Sequence, residues 1–277
     1  MLPELFHIGP IPIKPYGILL AVSFLVGVWY VQRVVTRDRK PFDPYLTIAS
    51  YMIFGGIVGA RLVYVVLHLE EFSGHWLNTI NPFGHGQFGI AGLNLYGGVL
   101  LAVLFTVIYC RVKKLSLLEV FDYFSPTLGI GLAISRIGCF LNGCCFGKPT
   151  DLPWGVTFPQ GSIPWYVYPG QSLHPTQLYS SLYGLGLFFL LNWMLKHKKF
   201  TGQLVATLFM CEAVFRFFIE YVRYYEPDMV IKIGDTTITW NQVIAVGLFF
   251  AGALIYIVQS KRAAVAQTAS ASAHINE

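Results

Sequence analysis

Seven stretches of the chain run apolar for 18 to 24 residues, and short polar or aromatic segments separate them. They lie at 16–34, 45–68, 93–110, 121–141, 177–195, 203–222 and 240–258. A helix needs about 20 residues to cross a hydrocarbon core of about 30 Å. Each stretch therefore predicts one transmembrane helix. The short alternating segments of a membrane barrel are absent. A continuous apolar helix satisfies every backbone polar group within itself, which lipid demands. The pattern predicts an all-α integral membrane protein with seven spans in a single domain over 1–262. Two long connections remain, about 69–92 and 143–176, and the small, polar segment 263–277 is expected to be an irregular tail.

Composition agrees with a lipid environment. Hydrophobic residues make up 55% of the 277 positions and charged residues 12%, against about 25% charged in a soluble domain. The charge that exists is arranged by side. Arg33, Arg37, Arg39 and Lys40 follow the first span, Arg111, Lys113 and Lys114 the third, Lys196, Lys198 and Lys199 the fifth, and Lys261 and Arg262 the seventh. The opposite connections hold Lys14, Lys148, Arg223 and Lys232. The positive-inside rule then puts the N-terminus outside and the C-terminus in the cytoplasm, with both long loops on the outer face. The net charge of +5 reflects this topology, and no basic patch with its own fold points to nucleic acid. No separate signal peptide precedes the first span, which is expected to act as the targeting signal. No internal repeat is visible, which argues against the inverted-repeat transporter plan.

Three arginines fall inside spans: Arg61, Arg136 and Arg216. Each would cost about 2.5–3.5 kcal/mol at a helix centre without a partner. They call for counter-charges or an anion site. In the sixth span Glu212, Arg216, Glu220 and Arg223 are spaced 4, 4 and 3 apart, which sets them on one helical stripe. Such a stripe is either a self-neutralising row of ion pairs or a polar wall. In the second case Glu220 orients Arg216, and the guanidinium fork grips a phosphate.

The densest segment runs Arg136-Ile-Gly-Cys-Phe-Leu-Asn142-Gly-Cys-Cys-Phe-Gly147. Glycines there allow close backbone approach to a ligand. Cys139, Cys144 and Cys145 lack the paired spacing of a zinc site, so no metal is expected, and small buried thiols are the default. Tyr16-Gly17 opens the first span, Asn94-Leu-Tyr96-Gly97-Gly98 the third, and His174-Pro-Thr-Gln-Leu-Tyr179 the fifth. Gly97 and Gly98 permit close approach of either a helix or a ligand. No dinucleotide fingerprint, phosphate-binding loop or HExxH motif occurs.

These motifs, in this order, resemble the bacterial prolipoprotein diacylglyceryl transferases. The resemblance rests on the Arg136–Gly147 signature, the His174–Tyr179 motif, Gly59-Ala-Arg61-Leu-Val-Tyr64, Tyr96-Gly-Gly98, and Phe215-Arg216-Phe-Phe-Ile-Glu220-Tyr-Val-Arg223. It implies transfer of the diacylglyceryl group of phosphatidylglycerol to the lipobox cysteine that follows a preprolipoprotein signal peptide. It implies an enzyme of the bacterial inner membrane, active toward the outer face, with no soluble cofactor. Arg136 and Arg216 match the family's essential arginines, Tyr16 its tyrosine at the first span, and Gly147 the last glycine of its signature. Tyr96 stands where many members have His, Cys139 where many have Asn, and Cys144 where many have Glu. Arg136 and Arg216 are expected to carry catalysis. Tyr96, Tyr16 and His174 are alternatives for a base, unless the positive field alone favours thiolate. Arg61, Asn142, Gly97, Gly98, Gly147 and Glu220 are expected to help hold phosphatidylglycerol. The competing reading of the arginines is a transporter or channel for an anionic solute.

Overall fold

In the computed structural model the described residues are 6–8, 11–72, 74, 79, 94–225, 230–233 and 236–275. Most of the loop expected at 69–92 therefore lies outside them. The elements in order are β1 (Phe6–Ile8), β2 (Ile11–Ile13), α1 (Pro15–Arg37), α2 (Asp43–Leu67), α3 (Leu69–Phe72), α4 (Leu95–Val112), α5 (Leu117–Asn142), β3 (Val156–Thr157), α6 (Ile163–Val167), β4 (Ser172–Leu173), α7 (Thr176–Lys196), α8 (Gln203–Val222), β5 (Val230–Ile233), β6 (Thr236–Thr239) and α9 (Trp240–Ile275). The strands form three antiparallel two-stranded pairs, β1 with β2, β3 with β4 and β5 with β6.

Each predicted span coincides with a long helix, and local chemistry sets the ends. Pro15 starts α1 at a position where its missing N–H costs nothing. Asn94 caps α4, its side chain accepting from the N–H groups of Tyr96 at 3.0 Å and Gly97 at 3.2 Å. Among the described residues six helices are long and apolar enough to cross a membrane: α1, α2, α4, α5, α7 and α9. The segment at 203–222 is helical over the predicted limits, as α8. Glu212, Arg216 and Glu220 fall within every 18-residue stretch of it, whereas each of the other six has a stretch of that length with two charges or fewer. Little of the apolar surface is covered, since α9 buries only 11% of its apolar window and α4 only 22%. Such faces require lipid as their solvent. Helix α9 also continues to Ile275, through the stretch expected as an irregular tail. Six alanines between 263 and 273 give that segment high helix propensity.

The described residues form two compact units. One holds 28–120 with the β1–β2 hairpin, and the other holds 15–27 and everything from 121 onward. In the first, α2 and α4 meet through glycine. A Cβ on Gly59 would lie 2.3 Å from the Gly97 carbonyl oxygen, and one on Gly98 would lie 2.7 Å from that of Gly56. The two backbones touch where lipid offers no hydrophobic drive, which is how small residues hold membrane helices together. In the second unit α5 and α7 meet in the same way at Gly129 and Gly184. Buried Asp122 of α5 organises the start of α8. It accepts from the N–H groups of Gly202 (2.8 Å), Leu204 (2.9 Å) and Val205 (3.1 Å), and Lys198 pairs with it at 3.4 Å. A carboxylate from a neighbouring helix thus supplies the cap that Gly202 has no side chain to provide.

The expected loop at 143–176 is built rather than loose. It contains β3, α6 and β4 and its own small core of Phe146, Phe158 and Leu173, packed by Phe140, Val156, Tyr168 and Tyr224.

Candidate active site

The second unit brings five sequence-predicted residues into one neighbourhood: Arg136, Asn142, Gly147, Tyr16 and His174. Two features place them. The first is the end of α5. Gly138 is buried there, and a Cβ on it would sit 3.2 Å from the Tyr16 Cα and 3.3 Å from its ring. Small size at Gly138 therefore lets Tyr16 lie against α5, within electrostatic range of Arg136 and of Cys139, Cys144 and Cys145.

The second feature is a crossing of three backbone segments. After α5 the chain turns through Gly143, with φ of 76°, and Cys145, with φ of 61°. Cys145 carries a side chain in the left-handed region and needs support there. Thr176 Oγ1 donates to the Cys145 carbonyl at 2.7 Å, and Gln177 Nε2 donates to the Cys144 carbonyl at 2.8 Å. Both donors are fully buried at the start of α7. Gly147 then passes between two strands of chain. Its N–H donates to the His174 carbonyl at 3.0 Å, the Lys148 N–H donates to the Val222 carbonyl at 2.8 Å, and the Tyr224 N–H donates to the Phe146 carbonyl at 3.1 Å. Gly147 bridges Arg223 in antiparallel fashion. A Cβ at Gly147 would lie 2.5 Å from the His174 Cβ, 2.6 Å from its carbonyl oxygen and 2.8 Å from that of Val222. No larger residue fits. Gly147 thereby locks the signature to the end of α8.

That lock sets Arg223 beside the signature. Arg223 and Arg136 both lie within electrostatic range of Cys145. Hydrogen bonds with the Cys139 and Cys144 thiols, and after them these two guanidinium groups, hold the Cys145 thiol well below its ordinary range against the opposing effect of burial. The Nε of Arg223 is buried and has no hydrogen-bond partner among the described residues, while its guanidinium carbon lies 5.2 Å from the Tyr225 ring centroid.

The stripe on α8 resolves into two different tasks. Glu220 is 3% exposed. Its Oε1 pairs with Arg216 Nε at 3.2 Å and accepts from Tyr225 Oη at 2.7 Å, and its Oε2 accepts from Thr239 Oγ1 at 2.8 Å. A carboxylate so fully bound fixes the arginine beside it. Glu212, one turn away, lies in range of both Arg216 and Arg136 and couples the two arginines electrostatically. His174 Nδ1 is 3.3 Å from Tyr179 Oη, which accepts from Trp154 Nε1 at 2.8 Å. Burial lowers the His174 pKa and favours the neutral ring.

The remaining expected residues belong to the other unit. Arg61 is buried there, with its guanidinium carbon 5.1 Å from the Phe72 ring and 5.6 Å from the Tyr64 ring, and its Nε donating to the Thr79 carbonyl at 2.9 Å. Gly97 and Gly98 are buried against α2. Of the two kinds of close approach the sequence allows, theirs is to a helix. Tyr96 is half exposed at the start of α4.

Sequence reasoning missed three contributors. Thr176 and Gln177 had a signal, since both lie inside the His174–Tyr179 motif, but their partners are 31 and 33 residues away. Arg223 was legible as one member of a charged row and the end of the Phe215–Arg223 motif, without a role of its own.

An all-helical membrane protein whose arginines gather beside a thiol-rich turn is of the kind that handles anionic lipid or solute. Comparison with known proteins narrows the class. The model of the prolipoprotein diacylglyceryl transferase family matches residues 3–258, and the chain belongs to that family. Phosphatidylglycerol–prolipoprotein diacylglyceryl transferases are among its relatives. That of Finegoldia magna is 31% identical over 93% of this chain and 95% of its own length. That of Campylobacter hominis is 30% identical over 92% and 90%, and that of Pseudoalteromonas translucida 29% identical over 94% of both.

Proposed function

We propose that this protein transfers the diacylglyceryl group of phosphatidylglycerol to the thiol of a lipobox cysteine in a preprolipoprotein. The observation that carries the reading is the conjunction of a family match over residues 3–258 with Arg216 held by a buried Glu220 at 3.2 Å beside Arg136 and Arg223. The reaction is a substitution at the glyceryl carbon bonded to the phosphate ester. The thiol loses its proton, sulfur attacks that carbon, and a C–S bond forms. The C–O bond breaks with its electron pair on the departing glycerol phosphate. Negative charge grows on phosphate oxygens as the bond breaks, so guanidinium groups placed there before reaction lower the barrier.

Arg136 and Arg216 take that role. Arg223 joins them, because a buried Nε without a partner among the described residues has a hydrogen bond to offer. Tyr16 and His174 flank the same neighbourhood and are the candidates for receiving the thiol proton. Asn142, whose side chain reaches the Cys144 thiol, shapes the turn. On this reading the protein sits in the bacterial inner membrane with seven spans, the six apolar helices and α8, and with its basic connections in the cytoplasm. On that topology the crossing at Gly147 faces outward, where a translocated signal peptide and outer-leaflet lipid meet.

The test incubates purified protein with phosphatidylglycerol and a lipobox peptide and weighs the peptide. A diacylglyceryl mass gain is expected on cysteine and is lost with a Cys→Ala peptide. Arg136→Ala and Arg216→Ala should each reduce transfer by about 10²–10³-fold, the cost of removing one preorganised donor to developing charge. No mass gain from folded protein would overturn the reading and favour an anion transporter, which leaves the peptide unmodified.

A further inference from the structure

Cys139, Cys144 and Cys145 were expected to be ordinary packing thiols, because their spacing fits no zinc pattern. Folding brings them together. Their three sulfur atoms lie within 4.8 Å of one another, and all three are free thiols. The closure comes from the turn. The Cys144 N–H donates to the Cys139 carbonyl at 3.1 Å, and Cys145 takes a φ of 61°. Thr176 and Gln177 pin the Cys145 and Cys144 carbonyls from α7. The backbone that aims these sulfurs is therefore held from outside the cluster, as a preformed ligand set requires.

We propose that these three cysteines form a binding site for one thiophilic d¹⁰ cation, copper(I) foremost, held by three sulfurs in a plane. Three features select that ion. The donors are all soft sulfur, which favours copper(I) and zinc over hard cations. Among the described residues no histidine, aspartate or glutamate atom joins the group, whereas a structural zinc site wants four ligands and copper(I) accepts three. Charge is the third feature. Three thiolates around a monovalent ion carry two net negative charges, and Arg136 and Arg223 both stand within electrostatic range of Cys145 to offset them. Thiolate sulfurs bound to one metal at about 2.3 Å lie about 3.8–4.0 Å apart, so the sulfurs need only a small contraction, with the displaced protons leaving to solvent. The ion would neutralise the field of two arginines assigned here to phosphate, so occupancy is expected to silence transfer. The binding claim itself does not depend on that assignment.

The test titrates reduced, detergent-purified protein anaerobically with copper(I) against a chromophoric copper(I) chelator. One equivalent per chain is expected to resist the chelator. Cys139→Ser and Cys144→Ser should each weaken retention by at least about 100-fold, since loss of an outer-shell partner alone costs 10–100-fold. Cys211→Ser, away from the cluster, should change nothing. X-ray absorption at the copper edge of the wild-type protein keeps the question open to refutation if a variant misfolds, and it should show a shell of three sulfurs alone. Binding well below one equivalent, retention indifferent to Cys139→Ser and Cys144→Ser, or a shell containing nitrogen or oxygen would each overturn the site. Transfer assayed in a metal-free sample reports separately on the enzymatic reading.

Discussion

Gly147→Ala tests whether the crossing of signature, α7 entry and α8 end positions the arginines. The added methyl meets three atoms, His174 Cβ at 2.5 Å, His174 carbonyl oxygen at 2.6 Å and Val222 carbonyl oxygen at 2.8 Å. Two of the three are backbone, so no rotamer change relieves them. Comfortable contact is about 3.5–4.0 Å, and the segments must part by about 1 Å. Overpacking of that kind costs about 1–3 kcal/mol. Weakening the Gly147-to-His174 and Lys148-to-Val222 hydrogen bonds adds about 1 kcal/mol each, for a total of about 3–5 kcal/mol. Arg223 follows Val222 directly, and a misplacement of about 1 Å in a reacting geometry can cost about 100-fold in rate. The variant should keep its helical circular dichroism, lose thermal stability in detergent, and transfer at about 1% of the wild-type rate or less. Gly131→Ala is the matched control, because nothing lies within 4 Å of its Cβ position. Wild-type stability and rate in Gly147→Ala would refute the packing argument, and a loss equal in Gly131→Ala would show that the effect is not local.

Two further outcomes follow from buried polar groups. Glu220→Ala removes the partner of Arg216 and strands the donors Tyr225 and Thr239. It should destabilise by about 3–5 kcal/mol, the cost of breaking a buried pair by deleting one member, and Glu220→Gln should retain more stability and transfer than Glu220→Ala. Thermal unfolding and peptide mass spectrometry on the three proteins would decide, equal behaviour of Ala and Gln counting against the orienting role. His174 has its pKa lowered by burial, so below its ordinary value of about 6.5 the unfolded chain takes up the proton first. Its contribution to stability is thus complete above that pH and lost as pH falls toward the folded value. His174→Gln should flatten the decline of melting temperature just below pH 6.5, and parallel profiles would contradict this.

Much of the scaffold was legible because one local quantity decides it. Apolar runs near 20 residues became α1, α2, α4, α5, α7, α8 and α9, and Asn94 and Pro15 mark their helix starts by chemistry that needs no distant partner. The site was legible in its residue types more than in their tasks. Gly97 and Gly98 look the same in sequence whether they admit a ligand or a helix, and only the position of Gly59 and Gly56 on α2 decides. Asp122 was not singled out from sequence, because its donors at Gly202, Leu204 and Val205 lie some 80 residues away. The cysteines read as packing thiols because their spacing matches no zinc pattern, and spacing does not show how the turn folds. Here a left-handed residue and two side chains from α7 close the cluster.

The partners of Arg61, Arg216 and Arg223 differ in kind. A guanidinium offers five N–H donors, and its environment determines how many remain for a substrate. Arg61 lies near the Tyr64 and Phe72 rings and donates to the Thr79 carbonyl within its own unit, which suits an arginine that ties the chain after α2 to that helix. Arg216 gives Nε to Glu220, and its side chain is 24% exposed, so the pairing leaves it partly accessible. Arg223 is held at its backbone by the Gly147 bridge, its guanidinium lies over the Tyr225 ring, and its Nε is unpaired among the described residues. An unmade buried hydrogen bond costs about 1–3 kcal/mol, a cost that a phosphate oxygen would remove. The difference between Arg216 and Arg223 is then one of division of labour: Glu220 gives the first a fixed direction, and Gly147 gives the second a fixed position.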